Sequence, residues 1–237
     1  MPSASQPPSP KYHLPAFAFV AGFIDVIGFI ALAGLFTAHV TGNLIMIGVA
    51  SVGHAESLAL KVLALPTFVV AVALVRITEK RLAARQPHAV AMLVAIECLL
   101  LALFAVAGIA LTGSTGTAAV WLGTATGLLA VTAMAVQNAL SRTALAELGP
   151  TTIMTGNTTQ VVIDVVDLLS AAPEERAAIR GRLAKMVPGV LAFAAGAILG
   201  ARLYLWVGYW AAWVPVVVLA TLSGTRVRAV GAAKSIA

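Results

Sequence analysis

Apolar residues run through this chain in blocks. Six blocks reach the roughly 20 residues that a helix needs to cross a bilayer: about 14–35, 57–76, 89–111, 118–140, 187–206 and 207–224. Two further apolar stretches, about 38–53 and 150–169, carry near their start the same triplet, Thr41-Gly42-Asn43 and Thr155-Gly156-Asn157. The pattern predicts an all-α integral membrane protein with six crossing helices, and it leaves the two triplet-bearing stretches to be placed.

Composition agrees. Hydrophobic residues make up 60% of the 237 positions and charged residues only 10%, against about 25% in soluble domains. The net charge of +6 does not point to nucleic acid, because the Lys and Arg residues sit between apolar blocks and form no continuous face. They read as topology signals, since connections on the cytoplasmic side hold the excess of Lys and Arg. Arg76, Lys80, Arg81 and Arg85 flank the second connection, Arg176, Arg180, Arg182 and Lys185 fill 170–186, and Arg226, Arg228 and Lys234 end the chain. The joints at 112–117 and 207–212 carry none. All basic clusters, with Lys11, fall on one side only if neither triplet segment crosses. Both termini are then cytoplasmic, and one triplet segment enters from outside, the other from inside. Residues 1–13, rich in Pro and Ser, read as a disordered tail, and 225–237 as a basic tail.

Features recur in the same order around both triplets. Asp25 precedes the first and Gln137-Asn138 the second. Pro66 and Pro188 follow near the start of the next helix, with Arg76 and Arg202 near its end. The chain divides into 14–112 and 113–224. Each half has three crossings, an odd number, so the two repeats are inverted. Non-helical backbone is tolerated at membrane depth only where protein or a water-lined cavity surrounds it. Gly42 and Gly156 are read as the freedom to turn, and Asn43 and Asn157, or Thr41 and Thr155, as caps of the helix that follows. Each triplet then marks a re-entrant or broken segment whose positive N-terminal end aims at a shared centre. The competing reading is that small residues at the triplets let helices pack closely.

The candidate solute-binding set is Asp25, Thr41, Gly42, Asn43, Gln137, Asn138, Thr155, Gly156, Asn157 and Asp164. An ionisable residue within a membrane segment is by default a functional hypothesis, so Asp25 is expected to touch solute or carry a proton. Asp164, two turns after Asn157, is expected to line the cytoplasmic approach. Glu97 is expected to pair with Arg76 or Arg81, His39 to be hydrogen-bonded at a bend, and His13, His54 and His88 to lie at interfaces. Arg76 and Arg202 are expected to snorkel. Trp206, Tyr209, Trp210 and Trp213 are expected to form an aromatic belt at the outer surface. Cys98 alone forms no disulfide and no paired-thiol site.

The segments Gly22-Phe23-Ile24-Asp25, Thr41 to Asn43, Gln137-Asn138 and Thr151 to Asn157 resemble the YoaK-like family of bacterial inner-membrane proteins, a domain of unknown function, over nearly all of 14–224. The resemblance implies a bacterial inner membrane and supplies no substrate. The chain carries no H-E-x-x-H, G-x-S-x-G, Walker loop or Cys/His ligand cluster, so neither an enzyme nor a metal or other cofactor is expected. Two functions remain. One is a transporter or channel for a small polar or anionic solute, with Asp25 available for proton coupling. The other is a non-transporting scaffold or assembly factor. The lipid bilayer is a partner in both, and both are compatible with a homo-oligomer.

Overall fold

A computed structural model describes residues 13–53, 57–82, 86–146, 149 and 151–222, and all its regular elements among these are helical. They are α1 (His13–Ala31), α2 (Val40–Ser51), α3 (Leu58–Arg81), α4 (Gln86–Thr112), α5 (Gly116–Arg142), α6 (Met154–Ser170) and α7 (Pro173–Val207), then a 3-10 turn (Gly208–Ala212) and a last helical stretch, α8 (213–222). The two expected tails, apart from His13, and also His54 and Arg85, lie outside the described residues.

Five helical stretches are long and apolar enough to cross a membrane: 14–31, 58–81, 89–112, 116–142 and 173–222. The last, of 50 residues, takes in both of the final expected crossings. Gly208, at φ +59°, breaks it into α7 and α8. By contrast α2 has 12 residues and α6 has 17. At about 1.5 Å per residue these span about 18 and 26 Å, short of the about 30 Å hydrocarbon core.

Helix ends have local causes. α1 stops earlier than the apolar block does, because Ala33 and Gly34 take left-handed backbone. Gly34 N–H reaches back to Phe29 O, closing the wide loop that terminates a helix in this way. Lys61, fully buried at the start of α3, donates to Ala33 O at 2.7 Å, so an ammonium meets the negative end of α1. α7 begins well ahead of the expected 187, at Pro173, with Glu174 and Glu175 in its first turn. These residues suit a helix start.

Packing exchanges partners. α1 lies chiefly on α7, and α5 on α3 and α4, while α2 rests on α3 and α6 on α7. At the α1–α7 crossing a methyl on Gly22 would run into the Phe193 carbonyl, and one on Gly196 into the Phe19 carbonyl. Gly200 is likewise hemmed in by the Phe23 backbone. The two backbones therefore touch, as small residues permit between membrane helices. Phe17, Val20, Phe23, Ile24 and Ile27 of α1 join Leu101 and Phe104 of α4 and Met134 and Leu140 of α5 in one core. Outward faces carry Val69, Leu74, Leu99, Leu191 and Leu205, as lipid contact requires.

Candidate functional site

Asp25 of α1 and Gln137 and Asn138 of α5 share one task, which is to hold the loops that precede the triplets. Asp25 stands buried in α1, and its Oδ1 accepts from the backbone N–H of Thr37 (2.7 Å) and Ala38 (2.8 Å) and from Thr37 Oγ1 (3.2 Å). Its Oδ2 meets His39 Nδ1 at 2.8 Å. A carboxylate so provided with donors is compensated for its burial.

The second half repeats the device with amides. Asn138 Oδ1 accepts from Thr152 Oγ1 at 2.6 Å, and Gln137 Nε2 donates to Thr151 Oγ1 and to Phe17 O, each at 3.0 Å. Thr37 and Thr151 stand at the same distance ahead of their triplets, as do Ala38 and Thr152.

Bonds between the halves bring the two loops together. Asn138 Nδ2 lies 3.5 Å from Ala38 O. The His39 ring bonds the Thr152 backbone as well as Asp25, and its edge faces Phe193, centroids 5.7 Å apart. His39 sits between α1 and α2, outside the long apolar spans. The hydrogen bond to Asp25 raises its pKa from the ordinary 6.5; burial opposes the rise, and the Asp25 charge and the Thr152 bond support it. Asp25 only accepts at Nδ1 and the Thr152 bond also favours the charged ring, so the imidazolium fits this place.

The triplets are built alike but not as capped turns. Gly42 and Gly156 lie inside the first turns of α2 and α6, and neither takes positive φ. The freedom to turn is used at Ala33 and Gly34 instead. His39 and Ile153 hold the N-cap positions without a side-chain cap, which corrects the capping roles expected of the Asn and Thr side chains. Asn43 is instead a staple. It donates from Nδ2 to Phe36 O (2.7 Å) and accepts at Oδ1 from Phe36 N–H (2.9 Å). Asn157 is buried in the matching position, whereas Thr41 and Thr155 are exposed.

Asp164 is bonded away from this centre. Arg182 of α7 holds it with Nη2 at 2.6 Å from Oδ1 and Nε at 3.1 Å from both oxygens, and Gln160 Nε2 adds a bond at 3.0 Å. The pair fastens α6 to α7.

Two further expectations are corrected. Glu97 pairs with neither Arg76 nor Arg81. Arg76 meets Glu79 at 3.3 Å, and both Glu97 oxygens are buried without a hydrogen-bond partner. The belt also loses two members, because Tyr209 is buried against Phe104 and Tyr204 and Trp213 turns its Nε1 inward. Trp206 and Trp210 remain exposed, with Trp121. Sequence reasoning missed buried Lys61, as well as Glu79, whose Oε1 accepts from Thr143 Oγ1 at 2.6 Å. A charge inside an apolar block was the available signal for Lys61.

No curated protein and no solved structure matches the chain. The family model described as "Protein of unknown function (DUF1275)" matches residues 14–225. That range holds α1 from Leu14 onward, α2 to α8 and every residue of the loop network, and the chain accordingly belongs to the DUF1275 family, as its triplets and their flanks suggest.

Proposed function

We propose that this protein is a bacterial inner-membrane transporter or channel for a small polar or anionic solute, with six crossings and both termini cytoplasmic, and that it is not an enzyme. Its halves, 14–112 and 113–224, are inverted repeats, and α2 and α6 are their re-entrant segments. One observation carries the reading: the loops 36–39 and 151–153 meet and are bonded to each other through His39, Thr152, Asn138 and Ala38. Inverted repeats with short helices at their interface place a solute site there. In this closed arrangement Asp25 and His39 act as a latch. Opening it would free a carboxylate, four of the chain's own donors and the first N–H groups of α2 for a solute.

Internal satisfaction of the same groups favours the scaffold reading, since Asn43 and Asp25 already spend their capacity on the protein itself. Flux separates the two readings. Purified protein in liposomes is challenged with gradients of protons, acetate, nitrate and urea, followed by an enclosed pH dye and by light scattering. Flux of one of these above protein-free vesicles, altered in Asp25→Asn and Asn138→Ala, is the expected result. Vesicles as tight as the controls to all four would leave the scaffold reading in front.

A further inference from the structure

Glu97 stands in the apolar middle of α4, fully buried, and neither carboxyl oxygen has a hydrogen-bond partner. Every other buried carboxylate among the described residues is provided for: Asp25 by the loop, Glu79 by Arg76 and Thr143, Asp164 by Arg182. A buried unpaired charge costs far more than a buried neutral acid. The titratable groups on elements packed against α4 are Lys61, Arg76, Glu79, Lys80 and Arg81 of α3, Arg142 at the end of α5, and Tyr209. None bonds Glu97.

Two donors share its predicament. Tyr209 Oη and Trp213 Nε1 are also buried without partners. Both lie on the stretch that packs along α4. The Tyr209 ring sits against Gly108 and Phe104, and Cys98 Sγ reaches Val216 O at 3.5 Å. Trp213 therefore falls between the level of Tyr209 and that of the residue next to Glu97. Orphaned polar groups along one interface are what bridging water satisfies in other proteins.

We propose that Glu97 is a proton-binding site, a carboxyl that holds its proton at neutral pH and exchanges it with water along the row marked by Trp213 and Tyr209. The proposal does not rest on transport. It assigns the proton to Glu97, the buried acid without a partner, and not to Asp25, whose oxygens are bonded by the loop.

Infrared difference spectroscopy of the full-length protein in liposomes reads this directly. At pH 7 the spectrum should contain the carbonyl stretch of a protonated acid, which is lost in Glu97→Gln and kept in Asp25→Asn. Transfer to D2O should shift that band to lower frequency within minutes. A spectrum identical in wild type and Glu97→Gln would overturn the proposal by showing no acid there. A Glu97 band that stays put in D2O would overturn it equally, as the mark of a sealed, structural acid. Should Glu97→Gln fail to fold, Glu97→Asp serves the same assignment, since a shorter acid displaces the band.

Discussion

Gly42 and Gly156 occupy equivalent places in their triplets and meet different neighbours. A methyl on Gly42 would press on the Phe36 ring, whereas one on Gly156 would meet only the Ile153 methyl at 3.7 Å. Both lie in helical backbone, where Ala normally outperforms Gly by about 0.5–1 kcal/mol. Gly156→Ala should therefore stabilise the protein by up to about that amount. Gly42→Ala should destabilise it by about 1–3 kcal/mol, the usual range for overpacking. Thermal unfolding in detergent compares the two, and equal shifts would remove the distinction. His39 adds a pH dependence. Its folded pKa is raised, so its contribution is complete below the ordinary 6.5 and is lost as pH rises through the folded value. Thermal stability should fall on going from pH 6 to pH 9, and His39→Gln should flatten that fall; an unchanged slope in the variant would put the titrating group elsewhere. Asp25, Gln137 and Asn138 were legible as unusual because each is polar inside an apolar block. What they hold was not legible, because their partners lie in loops whose course depends on where α1 and α5 end.

Helices held together by glycine depend on absent atoms. Gly196→Val would drive a branched side chain into the Phe19 carbonyl, and backbone cannot swing aside as a side chain can. The expected cost is above about 3 kcal/mol, beyond the ordinary overpacking range. Gly181, which has nothing within 4 Å on the same helix, should accept Val with little more than the propensity change; similar losses at both positions in detergent melts would refute a contact-specific effect. α6 depends on the Arg182 clamp in a different way. The Arg182 guanidinium holds the Asp164 carboxyl below its ordinary range, and this support is present above that range and disappears as acid protonates the group. Arg182→Gln should raise protease cleavage near residue 170 at pH 7 and leave little further change at pH 3; cleavage equal to wild type at pH 7 would show that the pair does not hold α6. Apolar blocks foretold most helix cores. They could not foretell that α7 starts at Pro173, because residues 173–186 form a charged, exposed helix that an apolar count reads as a connection.

At the scale of the whole molecule, the proposed sidedness rests on the basic clusters of the chain and is open to a direct test. Reporter fusions at residue 84, residue 178 and the C-terminus should report cytoplasm, and one at residue 115 the outside. A fusion at 84 on the outside would mean that α2 crosses fully and that the halves run parallel. The recurrence of the triplets was visible in the sequence. The exchange of partners, α1 onto α7 and α5 onto α3, was not, because nothing in an apolar block names the block it will face.

That exchange sets an order of events during synthesis. α1 leaves the ribosome long before α7 exists to cover Gly22, so for most of translation the glycine face of α1 must be shielded by lipid or by a helper. The Asp25 carboxylate faces no such wait. Thr37, Ala38 and His39 emerge only 12 to 14 residues later, and the charge can be quenched as soon as that loop is made. The electrostatic problem of α1 is thus solved within its own hairpin, and its packing problem is deferred to the end of the chain. A nascent chain stalled before α7 should keep α1 inserted but leave it open to crosslinking at Gly22→Cys, a window that closes when Gly196 arrives.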